Sequence, residues 1–120
     1  MSESNKDLFL RYKQERENIE HIQVDGAFIT YKFLQDYCYI EDVYCVPELR
    51  TSGIAYELAE KVEKIAKERG YLKMLGSVDT NGANPEIGLQ ACFKHNYKIL
   101  KLESHVIWLV KELKDSKEKQ

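Results

Sequence analysis

Residues 39–55, Tyr39-Ile40-Glu41-Asp42-Val43-Tyr44-Cys45-Val46-Pro47-Glu48-Leu49-Arg50-Thr51-Ser52-Gly53-Ile54-Ala55, decide the fold, because the chain changes period within them. Up to Val46 the run is rich in β-branched and aromatic residues, and Pro47 closes it as at the end of a strand. From Ile54 onward the apolar residues Ile54, Ala55, Leu58, Ala59, Val62, Ile65 and Ala66 recur at helical spacing. The other side of that helix carries Glu57/Lys61, Glu60/Lys64 and Glu63/Lys67, each in the favourable i,i+4 order, and Gly70 is its natural stop. Between strand and helix lies a tight turn. The first turn of a helix has amides without intrahelical partners, and the helix dipole adds partial positive charge there. Such a turn is an anion site, with phosphate esters as its commonest occupants. Gly53, lacking a Cβ, lets an oxygen approach the backbone closely. Arg50, Thr51, Ser52, Gly53, Ile54 and Ala55 are therefore the candidate binding turn.

On the N-terminal side, Ile19–Gln23 and Ala27–Leu34 flank Val24-Asp25-Gly26, a strong hairpin signal. A second turn near Gln35-Asp36 leads into a strand over 37–46, so three antiparallel strands follow one another. Residues 5–18 read as a helix capped by Ser4 or Asn5, with a thin apolar stripe (Leu8, Phe9, Tyr12) suited to covering a sheet edge. On the C-terminal side, Leu72–Val78 is a strand. A helix separates it from the strand ending at Val46, so the two should lie parallel, joined by a right-handed crossover. Asp79–Pro85 is a polar loop. Glu86–His95 is a short helix expected to bury Ile87, Leu89 or Ala91, and Phe93. Residues 97–102 and 105–110 form a closing strand pair. Residues 1–4 and 114–120 are polar and expected to be flexible.

At 120 residues the chain suits one domain, 1–120, with one core. Hydrophobic residues at 43% and charged residues at 32% fit a globular protein rather than a disordered one. Lys plus Arg number 18 against 20 Asp plus Glu, which does not supply the basic surface that nucleic-acid binding needs. The three cysteines, Cys38, Cys45 and Cys92, are odd in number and lack CxxC spacing, so neither a disulfide framework nor a metal site is expected. The N-terminus lacks a signal-sequence pattern and no apolar run reaches membrane-spanning length, which points to a cytoplasmic protein without a membrane partner.

The order helix, hairpin, strand, long helix, strand, short helix, strand pair resembles the GNAT (Gcn5-related N-acetyltransferase) fold. The segment quoted above is similar, without a gap, to that family's central pattern, an apolar strand followed by V-x-P-E-x-R/Q-x-x-G-x-G/A opening a helix. Cys45 stands for the usual valine, and Ala55 takes the last glycine position. The resemblance implies an α/β domain with a mixed, mostly antiparallel sheet flanked by helices. It implies acetyl-coenzyme A as donor substrate, with its pyrophosphate on residues 50–55, its pantetheine arm along Val43, Tyr44, Cys45 and Val46, and Asn84 as a further contact. It also implies a V-shaped opening between the strand ending at Val46 and the one at 72–78. The family usually begins with another strand and helix, so the resemblance implies an N-terminally shortened form, similar to members encoded by bacteriophages. The family's late motif, A-x-x-x-Y-x-x-x-G-F, supplies a tyrosine that protonates the leaving thiolate. With Asn96-Tyr97 on Gly-Phe, Cys92 stands at that position.

An amine acceptor must lose a proton, and Glu41 or Asp42 is the candidate base. Adjacent strand residues point to opposite faces, so only one of them should reach the cleft. The plainer reading, two solvated carboxylates, weighs about as much. Cys92 reads as packing before acid, since nothing near it in sequence activates a thiol. His21, His95 and His105 have no ligand spacing and read as surface or packing residues. The expected function is transfer of an acetyl group from acetyl-coenzyme A to a small or protein-borne amine, by a monomer or a homodimer. The first rival is an inert GNAT-shaped module for coenzyme A or protein contacts. A nucleotide-binding domain is the second, weakened because no lysine follows the glycine as a Walker loop requires.

Overall fold

The computed structural model describes residues 5–113. Its elements run α1 (Asn5–Glu17), β1 (Glu20–Val24), β2 (Ala27–Phe33), β3 (Cys38–Cys45), a single 3-10 turn (Pro47–Leu49), α2 (Ile54–Glu68), β4 (Lys73–Asp79), α3 (Pro85–Lys94), β5 (Lys98–Glu103) and β6 (Val106–Glu112). They form one six-stranded sheet in the order β1-β2-β3-β4-β6-β5. Every neighbouring pair is antiparallel except β3 and β4, as the intervening helix requires. The expected flexible ends, 1–4 and 114–120, and the candidate cap Ser4 lie outside the described residues.

Lys111 on β6 reaches Glu63 on α2, 3.0 Å from Nζ to Oε1, which identifies the sheet face that α2 covers. Residues paired across strands share a face, so Met74, Gly76 and Val78 lie on that side with Lys111, Leu109 and Ile107. The apolar stripe of α2 buries Leu58, Ala59, Val62 and Ala66 there, against Ile29, Tyr31, Cys38 and Met74. Each fully buried aliphatic side chain contributes about 2 kcal/mol, which makes this layer the main source of stability. The bidentate contact of Arg69 with Glu20, 2.9 and 3.1 Å, ties the end of α2 back to β1. Tyr39, Ser77 and Trp108 occupy the opposite face, where the Tyr39 hydroxyl and Ser77 Oγ are 2.9 Å apart and the Tyr39 and Trp108 rings are 5.8 Å apart.

The thin stripe of α1 leaves Leu8, Phe9 and Tyr12 exposed, and the helix packs beside edge strand β1. The short helix α3 departs from expectation. Ile87 and Phe93 are 62% and 49% exposed, and the face turned inward carries Leu89 and Cys92. With only ten residues, α3 presents a narrow strip to β4. Which strip faces inward is set by the course of the loop over 80–84, and helical period alone does not reveal it.

Candidate active site

Two local features build the binding turn. At the first hairpin, Gly26 has φ +87°, and a Cβ there would come within 2.6 Å of Leu49 Cδ1. The missing side chain lets the hairpin sit directly beneath the Pro47–Leu49 turn, and Val46 N–H donates to the Gly26 carbonyl at 2.9 Å. The β1–β2 hairpin thus holds the end of β3 in place. At Gly53, φ is +88°, the left-handed region that favours glycine, and a Cβ would meet nothing within 4 Å. The space over Gly53 is open for a ligand.

Within the turn the amides divide into two sets. Arg50 N–H donates to the Pro47 carbonyl, Ser52 N–H to the Leu49 carbonyl, and Ile54 N–H to Ser52 Oγ at 3.3 Å. Those of Thr51, Gly53, Ala55 and Tyr56 have no acceptor among the described residues. Ser52 Oγ also donates to the Leu49 carbonyl at 2.7 Å, so its hydroxyl stiffens the loop. Arg50 is pinned across the turn, its Nε on the Cys45 carbonyl at 3.0 Å and its guanidinium 5.7 Å from the Tyr44 ring centre. Thr51, Ser52 and Gly53 are all exposed.

Below the turn the sheet opens. β3 and β4 pair only at Cys38/Met74 and Tyr39/Leu75. Beyond that point β3 stays with β2 and β4 stays with β6, so the two strands diverge. The Tyr39–Ser77 hydrogen bond spans them just above the last paired residues. Between the strands lies a cleft of about 350 Å³, walled by Ile40, Glu41 and Val43 on one side and by Gly76, Ser77 and Val78 on the other. Helix α2 supplies Ala55, Tyr56 and Ala59, and α3 supplies Gly88, Ala91 and Cys92, with His95 just past its end. Wider polar depressions of about 490 Å³ lie beside Asn18 and beside Tyr71; the second meets β4 only at Lys73, ahead of the paired residues, and neither reaches the diverging part of the strands.

The carboxylate question is answered by a bulge. Thr30 pairs with Asp42 and Tyr31 with Ile40, leaving Glu41 as an extra residue in β3. A bulge re-aims the inserted side chain, and Glu41 lines the cleft, half-buried. Asp42 is exposed and lies outside the cleft wall, with its amide held by Thr30 Oγ1 at 3.0 Å.

A strand opening beneath a glycine turn that begins a helix is the arrangement expected of the family named above. The sequence profile of the acetyltransferase (GNAT) family matches residues 10–104. The chain belongs to the GNAT family. No curated protein sequence matches it. Among solved structures, this GNAT domain is similar to the PaiA N-acetyltransferase of Thermoplasma acidophilum in complex with coenzyme A. The TM-score is 0.71 at 20% identity, over 91% of this chain and 71% of that one. It is also similar to Ard1 of Thermoplasma volcanium, with TM-score 0.69, 14% identity and coverage of 96% and 84%. A GNAT acetyltransferase of Elizabethkingia anophelis with acetyl-coenzyme A bound gives TM-score 0.65 and 15% identity over 93% and 92%. At these identities the likeness is one of fold.

The other anticipated residues fall at various distances from the GNAT cleft. Val46 and Cys45 already spend an amide and a carbonyl on Gly26 and Arg50. Asn84 sits exposed at the start of α3 with φ +53°, outside the cleft wall. Cys92 does face the cleft, and burial pushes its thiol above the ordinary range, so it stays protonated. Sequence reasoning missed Tyr56 and read His95 as a surface or packing residue without finding its partner; the two rings meet edge to face at 4.2 Å. Burial first, and then the charge of Lys111, hold His95 below its ordinary pKa, leaving it neutral at pH 7. Tyr97 also lines the cleft and is buried, with its hydroxyl unpaired among the described residues. Nothing in the local pattern around residues 56 and 95 signals that they meet. Among the described residues, no group of His, Cys, Asp and Glu could hold a metal, and no helix is long and apolar enough to cross a membrane.

Proposed function

We propose that this GNAT domain is an N-acetyltransferase that moves an acetyl group from acetyl-coenzyme A to a cationic amine. The observation that carries the reading is the early end of β3–β4 pairing beneath the Gly53 turn. The amides of Thr51, Gly53, Ala55 and Tyr56 would hold the donor's pyrophosphate, with Arg50 adding positive charge at the rim. The cleft has room for the acetyl-bearing end of the donor and is too small for the whole cofactor, whose nucleotide would lie outside over Thr51–Gly53. The freed edge of β3 offers backbone groups to the pantetheine arm. A fixed N–H on the thioester oxygen is worth a few kcal/mol in comparable sites.

Glu41 is the group in this wall suited to taking the amine's proton, directly or through one water. Its negative charge, with Asp42 nearby and the Tyr39 and Trp108 rings on the sheet face beyond, favours an acceptor that arrives as a cation. Cys92 and the Tyr56–His95 pair shape the wall and exclude water.

Calorimetric titration with acetyl-coenzyme A and with ATP, followed by thioester turnover against a panel of amines, tests this. Binding of the first ligand alone, with turnover on a cationic amine, is the expected result. Binding without turnover on any amine would favour the inert module. Binding of ATP alone would favour a nucleotide domain.

A further inference from the structure

β5 is the last strand of the sheet, and all six of its residues are exposed. Three are large and aliphatic: Ile99, Leu100 and Leu102, at 56%, 47% and 66% exposure. No strand lies beyond it among the described residues. At the other end of the sheet, β1 has α1 beside it and four of its five residues half-buried. An uncovered edge carrying aliphatic side chains is a template for another strand.

The residues of β5 complement themselves. Lys98 opposes Val110, Ile99 opposes Leu109, Lys101 opposes Trp108, Leu102 opposes Ile107 and Glu103 opposes Val106, which leaves Leu100 as an inserted bulge residue. Opposed residues share a face, so Ile99 and Leu102 lie on the helix-covered side with Leu109 and Ile107. Lys98, Lys101 and Glu103 lie on the other side with Trp108. In a regular strand, residues 98 and 103 would point to opposite faces. The bulge at Leu100 shifts the alternation by one and brings them to the same face.

This parity has a consequence for pairing. Place two copies of β5 antiparallel about a two-fold axis perpendicular to the sheet, passing between Leu100 and Lys101. Lys98 then stands opposite Glu103 of the second copy, and Ile99 opposite Leu102, each pair on a matching face. The two-fold repeats both pairs, giving two ion pairs and two apolar pairs. Among the described residues Glu103 forms one ion pair, with Lys101 at 3.6 Å, both side chains more than half exposed, a contact worth little. It can re-pair at small cost. A strand from an unrelated partner has no reason to match this charge order, whereas a second copy matches it by symmetry.

We propose that the protein forms a two-fold dimer in which β5 pairs antiparallel with β5 of a second copy, in the register Lys98–Glu103 and Ile99–Leu102, joining two six-stranded sheets into one. β6 and β4 separate β5 from the cleft, so the dimer leaves both clefts open.

Sedimentation velocity and light scattering on the full chain test the proposal, against a chain mass of 14.1 kDa. The wild type should run at twice that mass. Lys98→Glu and Glu103→Lys each place like charges opposite one another twice, and each should raise the dimer dissociation constant about tenfold. The double variant Lys98→Glu/Glu103→Lys should return it to near the wild-type value. Leu102→Lys should give a monomer with unchanged circular dichroism. A wild type that stays monomeric up to about 0.1 mM overturns the proposal. So does a dimer indifferent to all four variants, a double swap that fails to restore association, or growth beyond the dimer, which would mark head-to-tail pairing with β1.

Discussion

Replacing Gly53 with Glu separates the anion-binding role of the turn from its part in folding. The position sits at φ +88° with open space where a Cβ would go, so any side chain costs backbone strain but no clash. That strain is about 1–2 kcal/mol, and a carboxylate at a helix N-terminus returns about 0.5 kcal/mol of it. The fold should survive with a modestly lower melting temperature. Binding should not. A carboxylate about 5 Å from a bound phosphate, at an effective dielectric of about 20, is repelled by about 3 kcal/mol per charge. Solvent and salt over this exposed turn reduce that to about 2 kcal/mol, or roughly thirtyfold in affinity. Gly53→Ala carries the same backbone strain without the charge and is the reference. Calorimetry with coenzyme A on both variants, beside circular dichroism and thermal melts, gives the comparison. If Gly53→Glu binds coenzyme A within about threefold of Gly53→Ala, the phosphate does not sit on this turn and the reasoning fails.

Glu41→Gln should lower turnover at neutral pH by about a hundredfold with donor affinity unchanged, while Asp42→Asn keeps most activity; equal losses in steady-state assays would overturn the assignment drawn from the bulge. Cys92→Ala should cost roughly 1 kcal/mol of stability and leave the rate per folded molecule alone, because a thiol raised by burial is a poor proton donor; rates and melts on one sample decide between packing and catalysis. Tyr97→Phe removes a buried hydroxyl that has no hydrogen-bond partner among the described residues, so its melting temperature should hold or rise; a clear fall would mean the hydroxyl bonds Glu63 in solution. His95 has a lowered folded pKa, set by burial with Lys111 and Lys94 opposing Glu63 and Glu60. As pH falls, the unfolded chain therefore takes up this proton first. Stability from this site is complete above about pH 6.5 and is lost as pH drops from there through the folded value. His95→Gln should flatten that part of the melting-temperature profile, and an unaltered slope would count against the shift.

What the sequence determined by itself was whatever depends on neighbours along the chain. Alternation and turn residues marked the Asp25-Gly26 hairpin, helical period marked α2 down to its stop at Gly70, and the change of period at residues 47–54 marked the binding turn. These signals are local, since a glycine at positive φ or a stripe at 3.6-residue spacing is written in a few consecutive residues. The boundaries of β5 and β6 fell within two residues for the same reason. Only the tertiary structure decided the rest. Pleating required that one of Glu41 and Asp42 face the cleft, but the choice came from a bulge set by cross-strand register with Thr30 and Tyr31. The exposure of Ile87 and Phe93 depended on how α3 rolls onto β4. Tyr56 and His95, thirty-nine positions apart, meet because two helices pack on the same face of one sheet. Register, roll and helix–helix approach are settled by contacts between distant segments, and no window of consecutive residues contains both partners.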